Sequence, residues 1–264
     1  MRWIRFEHEG RQSYGILHGE GGDAEVEAVE GSPFGEHRAT GTRMPFPAVK
    51  LLVPVIPPTF YAAGLNYVEH ASTYAETVGS APNIPQKADV GYRAANALIP
   101  HEAPVIIPRD AGEQVHYEGE LVVVIGKEAK HLSEEEALSC VFGYTIGNDV
   151  SERDWQNEDR TMWRAKNTDT FKPMGPWIET DLDLDAARTS VRLNGETTVE
   201  FKTNDMLFGI ETFISAMSRY LTLHPGDILW MGTEGKSPNM KDGDEVEIEI
   251  SGIGTLRNRF QKEA

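Results

Sequence analysis

Apolar residues alternate with polar ones, or run without interruption, over many short segments of this chain. Residues 3–6 alternate, whereas 121–125 (Leu-Val-Val-Val-Ile) are apolar on both faces, and the two patterns are typical of half-buried and fully buried β-strands. Helical signals are fewer: a capping box over 133–136 and helical periodicity over 205–221. The pattern therefore predicts an α+β fold that is mainly β.

A cluster of prolines divides the chain. Pro54, Pro57 and Pro58 follow a first segment of short strands and turns. Proline cannot donate to a sheet ladder and fixes its own φ, so such a cluster indicates a connection between units. We expect a small N-terminal domain over residues 1–57 and a larger domain over 58–264.

Glu118 and Glu120 stand at the start of the apolar run, separated only by Gly119. Side chains two residues apart on a strand point to the same face, so the spacing directs two carboxylates the same way. Bare carboxylates at the mouth of a buried strand repel each other, and a divalent cation allows both to stay ionised. The pattern alone is equally compatible with an exposed acidic face. The glycine and the apolar continuation favour half of a metal site.

A second stretch of alternating carboxylates serves as a comparison. In residues 245–250 (Glu-Val-Glu-Ile-Glu-Ile) every intervening residue is apolar. This is the pattern of a half-exposed strand with a solvated acidic face, and we expect it to bind no metal.

Asp149, at the end of the apolar strand from Phe142 to Gly147, is the best-placed third ligand. The interval from Glu120 is long enough for a helix and a return strand that would bring Asp149 beside the first pair. Three carboxylates without histidine or cysteine select a hard cation, magnesium first, with manganese or calcium as substitutes.

Charge and cysteine content narrow the class of protein. The formal net charge of -17 argues against nucleic acid or an anionic membrane as a partner, because both are polyanions. The single cysteine, Cys140, excludes an internal disulfide and fits a reducing cytoplasm. Its apolar surroundings favour a buried structural thiol over a nucleophile. We expect a cytoplasmic protein without a membrane-spanning segment.

Several ordered motifs over roughly residues 59–264 resemble the fumarylacetoacetate hydrolase family. They are 116–121 (His-Tyr-Glu-Gly-Glu-Leu), 148–151 (Asn-Asp-Val-Ser), Arg153-Asp154 with Gln156, Lys166, 169–171 (Asp-Thr-Phe), 175–177 (Gly-Pro-Trp), 225–228 (Pro-Gly-Asp-Ile), Gly232-Thr233 and 252–258. The resemblance implies a catalytic domain of mixed β-sandwich or roll type behind a small N-terminal domain. It also implies a metal-dependent enzyme, usually a homodimer, that acts on a small anionic 2-keto or 1,3-diketo acid.

The resemblance assigns roles to individual residues. It makes Glu118, Glu120 and Asp149 the metal ligands and Lys166 a cation beside them, which suits a metal-bound enolate because a fixed ammonium stabilises its negative charge. The residues expected to bind substrate are Tyr67, Arg153, Gln156 and Thr233. Lys87 is a candidate second cation, and a plain surface position is equally compatible with its sequence.

His70 resembles the histidine with which the family activates water, and an ordinary pKa of about 6.5 suits proton transfer near neutrality. Many hydrolytic members carry a glutamate three residues later, where this chain has Thr73. We expect Glu234, which follows Thr233, to supply the carboxylate instead. Without such a partner, His70 activates water less well, and the sequence then favours reactions that need only a stabilised enolate.

Three functions follow from these expectations. The first is a magnesium-dependent hydrolase that cleaves a carbon–carbon bond in an acylpyruvate or related diketo acid, with His70, Lys166 and Glu234 as catalytic residues. The second is an isomerase or decarboxylase of an aromatic-catabolism keto acid, or a ureidoglycolate-type lyase, on the same metal site. The third is a non-catalytic metal-binding protein, which a lysine beside the ligands argues against. The hydrolase is the first expectation.

Overall fold

Strands dominate the computed structural model, which describes residues 1–69 and 84–264, and the prediction of a mainly β, α+β fold is confirmed. The strands are β1 (Arg2–His8), β2 (Arg11–His18), β3 (Glu25–Gly31), β4 (His37–Pro45), β5 (Lys50–Leu51), β6 (Phe60–Ala63), β7 (Val90–Tyr92), β8 (Leu98–Ile99), β9 (Val105–Ile107), β10 (Val115–His116), β11 (Gly119–Ile125), β12 (Val141–Asn148), β13 (Ser151–Glu152), β14 (Lys172–Glu179), β15 (Arg188–Leu193), β16 (Glu196–Lys202), β17 (Ile228–Trp230), β18 (Glu245–Ile250) and β19 (Gly254–Lys262).

The helices of the described part are short. They are α1 (Glu134–Ala137), α2 (Arg153–Glu158), α3 (Trp163–Asn167) and α4 (Ile210–Ser218), with 3-10 turns at Gly21–Asp23, Phe46–Ala48, Ala95–Ala97 and Leu138–Cys140. The predicted capping box is present at α1, where the Ser133 side chain and the Glu136 side chain each accept from the other's backbone N–H. Among the described helices, none has the length and apolar character required to span a membrane.

The largest sheet runs in the order β4-β3-β2-β1-β14-β12-β11-β17-β6-β7, and a second sheet runs β16-β15-β18-β19-β9. β11 lies inside the first sheet and is buried at every residue. Its Leu121 and Val123 pack in the same apolar cluster as Ile248 of the second sheet, whereas Val122 packs with Trp230 in another cluster. Both faces of β11 are therefore covered, which accounts for its uninterrupted apolar sequence.

The first four strands form an antiparallel meander with its own small core, which includes Ile4, Phe6 and Val26. β1 also pairs with β14 through Trp3 and Ile178, so the N-terminal strands continue the main sheet. The division at residue 57 stays a prediction. What the pairing establishes is that the N-terminal segment is hydrogen-bonded directly to a strand of the larger part of the chain.

β18 has the alternation expected of a half-exposed strand. Val246, Ile248 and Ile250 are buried, and Glu247 and Glu249 form ion pairs with Arg192 at N–O distances of 3.1 and 2.8 Å. The carboxylates of this strand therefore face arginine and solvent. Asn194 and Gly195 form the turn between β15 and β16, and both have positive φ.

Candidate metal centre and its cavity

Glu118, Glu120 and Asp149 converge at one end of the main sheet. One oxygen of each carboxylate lies within 4.8 Å of the other two, and all three residues are buried. Glu118 immediately precedes β11, Glu120 lies at the start of that strand, and Asp149 immediately follows β12. The structure thus brings together the three residues predicted as metal ligands.

Antiparallel pairing explains how residues so far apart in sequence meet. β11 pairs with β12 so that Glu120 stands opposite Gly147, which leaves the start of one strand beside the end of the other. The Asp149 N–H donates to the Glu118 carbonyl at 2.8 Å, and the Glu118 N–H donates to Asn148 Oδ1 at 3.0 Å. These bonds fix the backbone at both strand ends.

Gly119 has a steric reason for its place between the two glutamates. A Cβ on this residue would lie 3.0 Å from methyl groups of both Val191 and Ile248 in the second sheet. A larger residue would require these methyl groups to move by a few tenths of an ångström, so glycine favours the close approach of the two sheets beside the acidic centre.

Among the residues that the structure describes, four cationic side chains surround the carboxylates. Lys166 Nζ lies 2.5 Å from Glu118 Oε2 and 3.1 Å from Asp149 Oδ2. Arg153 Nη2 contacts the other Glu118 oxygen at 2.6 Å. The remaining contacts are to Asp149, from Arg93 Nη2 at 3.0 Å and Lys172 Nζ at 2.7 Å.

These charges set the protonation of the carboxylates in opposite directions. Burial alone would raise the pKa of Asp149, but the charges of Arg93, Lys166 and Lys172 outweigh it and hold that pKa well below its ordinary value. Burial, together with the charges of Asp149 and Glu118, raises the pKa of Glu120 well above its ordinary value. Burial also lowers the pKa of Lys172 to about 8, against the opposing attraction of Asp149.

A cavity of about 220 Å³ opens onto the acidic centre. The described residues that line it are Ala63, Gly64, Leu65, Arg93, Glu118, Glu120, Asp149, Arg153, Gln156, Met162, Lys166, Gly232 and Thr233. Three of the predicted substrate-binding residues are in this lining: Arg153, Gln156 and Thr233. Arg153 donates to Gln156 Oε1 at 2.7 Å and to His116 Nδ1 at 3.1 Å, so two of the predicted residues are already linked.

Tyr67 does not reach this cavity. Its hydroxyl donates to the Thr203 carbonyl at 2.6 Å, its ring packs against Phe201, and only 1% of the residue is exposed. The geometry therefore gives Tyr67 a packing function, and nothing in it supports the predicted contact with substrate.

Of the proposed catalytic pair, His70 lies outside the described residues, as does Thr73. Glu234 is half-buried and its Oε1 accepts from the Gly235 N–H at 3.1 Å. Its charge is close enough to contribute, after burial and Glu120, to the raised pKa of Tyr67. The pairing of Glu234 with His70 stays a prediction.

Sequence reasoning missed two of the four cations. Lys87, the candidate second cation, is exposed and borders a different cavity, next to α4; Arg93 lies in the acidic centre instead. A signal for Lys172 was present, since it is a lysine within the otherwise apolar run Phe171 to Met174 at the start of β14. No comparable signal marks Arg93, whose position depends on the path of the chain after β7.

The donor set suits a hard divalent cation. The three ligands offer only carboxylate oxygens, without a nitrogen or sulfur donor among them, which is the preference of Mg²⁺, Mn²⁺ and Ca²⁺. Glu120 also has an electrostatic reason to gain a cation. Its pKa is raised by burial and by its acidic neighbours, and the hydrogen bond that its Oε2 accepts from the Gly232 N–H at 2.8 Å does not offset them. The buried acidic triad could therefore bind a metal ion.

Comparison with known proteins agrees with this geometry. Residues 59–261 match the family described as fumarylacetoacetate (FAA) hydrolase C-terminal, and residues 1–54 match the one described as Rv2993c-like, N-terminal. A crystal structure of 5-carboxymethyl-2-hydroxymuconate delta-isomerase from Mycobacterium smegmatis superposes with a TM-score of 0.90 at 35% identity, covering 100% of both chains.

Two curated relatives are also similar. The 4-hydroxyphenylacetate degradation bifunctional isomerase/decarboxylase of Salmonella dublin is 40% identical over 206 residues, which are 76% of this chain and 46% of that protein. Oxaloacetate tautomerase Fahd2a, mitochondrial, of Rattus norvegicus is 36% identical over 228 residues, 82% of this chain and 71% of that protein. With the match over residues 59–261, these likenesses show that the chain belongs to the fumarylacetoacetate hydrolase family.

Proposed function

We propose that this chain is an enzyme that rearranges a small 2-keto acid through its enol form, as an isomerase or keto–enol tautomerase. A divalent cation, Mg²⁺ or Mn²⁺, would be held by Glu118, Glu120 and Asp149. The similarity to isomerases and to an oxaloacetate tautomerase supports this choice of reaction class.

One observation carries the proposal: the Lys166 ammonium is fixed beside the carboxylate triad at the wall of the cavity. Its side chain is 6% exposed and contacts both Glu118 and Asp149. A buried ammonium that faces a substrate cavity is positioned to stabilise negative charge that develops on a substrate oxygen. An isolated structural metal site has no need of it.

The size and charge of the cavity favour a small acid. Its volume of about 220 Å³ is below the ~300–1,000 Å³ of pockets that hold drug-sized ligands. Arg153 and Arg93 are both largely buried in its wall, and a guanidinium can bind a carboxylate through two parallel hydrogen bonds. The expected substrate is therefore a short keto acid with at least one carboxylate.

The residues of the chain would divide the chemistry among them. A divalent cation, when bound, supplies Lewis acidity toward the oxygens of a 2-keto acid. Lys166 donates to the oxygen that becomes negative as the enol form develops, and Arg153, braced by Gln156, orients the substrate carboxylate. The proton at carbon would exchange with water, and His70 keeps its expected role of activating water, which hydrolysis alone requires.

Hydrolysis, the first expectation from the sequence, is the second candidate here, and the family resemblance predicts it. It needs an activated water in addition to the metal ion and Lys166, and Thr73 stands where many hydrolytic members carry a glutamate. We therefore place rearrangement before hydrolysis. Decarboxylation would use the same residues as rearrangement.

The two candidates differ in their products. We expect the purified protein with Mg²⁺ or Mn²⁺ to accelerate keto–enol conversion of oxaloacetate, followed by ultraviolet absorbance, more than it releases pyruvate from acetylpyruvate. His70→Ala would abolish hydrolysis, and Lys166→Met would impair both reactions. Pyruvate release as the dominant activity, lost in His70→Ala, would make the chain a hydrolase. Metal binding without turnover of any such acid would indicate a non-catalytic protein.

A further inference from the structure

Lys172 is a buried cation that the proposed reaction does not use. Its side chain is 0% exposed, and its Nζ is surrounded by three oxygens: Asp149 Oδ1 at 2.7 Å, the Val150 carbonyl at 2.9 Å and the Phe171 carbonyl at 2.9 Å. A neutral amine has only two N–H donors, whereas an ammonium has three. Three acceptors at these distances therefore fit the charged form.

Lys172 approaches Asp149 from the side away from the cavity. Arg93 and Lys166 both contact Oδ2 and both line the cavity, and Arg93 also donates through Nε to Oδ1 at 3.5 Å. Lys172 contacts Oδ1 more closely, at 2.7 Å, and is not part of the lining. Lys172 thus binds one oxygen of the Asp149 carboxylate from outside the cavity.

The contact has an electrostatic consequence for the whole centre. In the described part of the chain, four cations contact a triad of three carboxylates, so formal positive charge exceeds negative charge before any divalent ion binds. A positive charge in a buried site acts at short range and with little screening. The surplus positive charge therefore opposes the binding of a divalent cation and favours the binding of an anion.

We propose that Lys172 is a positioning residue that acts through Asp149: it weakens the binding of the divalent cation and strengthens the binding of the anion that joins the cation in the cavity. The inference rests on the proposed metal site and reaction class. The reaction develops negative charge on the substrate, and a positive charge that lies near the substrate without contacting it stabilises that negative charge.

Two neutral substitutions test this on the whole protein. Lys172→Met removes charge and hydrogen bonds, and Lys172→Gln keeps a donor toward Asp149 without the charge. Lys130→Met, at an exposed lysine, controls for the loss of one positive charge. Calorimetry would measure the Kd for Mn²⁺, and then, at saturating Mn²⁺, the Kd for oxalate, a planar dianion that resembles the enolate of pyruvate. Thermal unfolding would verify that each variant is folded.

Both variants are expected to bind Mn²⁺ about tenfold more tightly and oxalate about tenfold more weakly than the wild type, whereas Lys130→Met leaves both constants unchanged. A merely structural role for Lys172 would loosen the centre and weaken both ligands. Lys172→Arg keeps the charge, so its Kd values for Mn²⁺ and oxalate should stay close to those of the wild type. This variant serves as the reference if a neutral variant does not fold. Tighter Mn²⁺ binding with weaker oxalate binding in Lys172→Arg would then refute the proposal.

The result also separates this inference from the metal site itself. If the wild type binds Mn²⁺ and the neutral variants bind it equally or more weakly, the inference about Lys172 is wrong and the metal site stands. If the wild type does not bind Mn²⁺, the metal site is wrong and the inference falls with it.

Discussion

Replacing Glu120 with glutamine removes one charge from the centre while keeping its shape. The Gln Oε1 can still accept from the Gly232 N–H, as Glu120 Oε2 does at 2.8 Å. Glu120 is 3% exposed and has Asp149 and Glu118 as charged neighbours. The variant therefore tests whether repulsion within the triad destabilises the metal-free protein.

The distances indicate the size of the effect. Ligand oxygens that lie within 4.8 Å of one another repel by at least about 3.5 kcal/mol per ionised pair at an effective dielectric constant of ~20. Folded Glu120 relieves this repulsion by holding its proton, which is why its pKa is raised. A raised carboxyl pKa means that the folded state binds more protons than the unfolded state, so stability falls as pH rises above the unfolded pKa of about 4.3.

The assay is urea unfolding of wild type and Glu120→Gln in chelator between pH 4 and 8. We expect the variant to gain stability relative to the wild type as pH rises, by up to about 1.4 kcal/mol per pH unit until the folded pKa is passed. Mn²⁺ at 100 times its Kd should then add about 2.7 kcal/mol to the wild type and clearly less to the variant. Glu249→Gln, on the arginine-paired face of β18, is the matched control and should show neither effect.

Two results would refute this reasoning. A stability difference between wild type and Glu120→Gln that does not change with pH would mean that Glu120 carries no raised pKa. Equal stabilisation of both proteins by Mn²⁺ would mean that Glu120 does not hold the ion.

Three further predictions concern single residues. Lys166→Met should lower kcat by about 10²–10³-fold while Mn²⁺ binding, measured by calorimetry, is retained. An unchanged kcat would contradict the proposed stabilisation of negative charge on the substrate by Lys166. Gly119→Val should cost about 1–3 kcal/mol in urea unfolding, because its side chain meets Ile248 across the sheets, and should weaken Mn²⁺ binding. Asp227→Ala should lower the free energy of unfolding by about 2–5 kcal/mol, because the backbone N–H groups of Thr59 and His224, each bonded to Asp227 at 2.8 Å, lose their acceptor. The Mn²⁺ affinity should stay unchanged. A changed affinity would show that the two regions are coupled.

The acidic triad could be predicted from sequence because local rules determine it. A two-residue spacing gives Glu118 and Glu120 one direction, and an apolar strand that returns antiparallel must end near the start of its neighbour, which places Asp149. The burial of Cys140 was predictable for the same reason, since its neighbours are apolar, and the structure confirms it.

Contacts between distant segments were not predictable. The helix expected over 205–221 is shorter, Ile210–Ser218, because Asn66 binds the chain before it: its carbonyl accepts from the Leu207 N–H at 2.8 Å and its Oδ1 from the Phe208 N–H at 3.0 Å. Tyr67 is held by the distant Thr203 carbonyl in the same way. Periodicity describes one segment at a time and does not include such partners.

Glu118, Glu120 and Asp149 are proposed to hold one divalent ion. Crystals grown with Mn²⁺ and measured at the manganese absorption edge test it directly. The prediction is a single strong anomalous peak within coordination distance of all three carboxylates, absent from crystals of Glu120→Gln. A peak elsewhere, or no peak at saturating Mn²⁺, would contradict the claim.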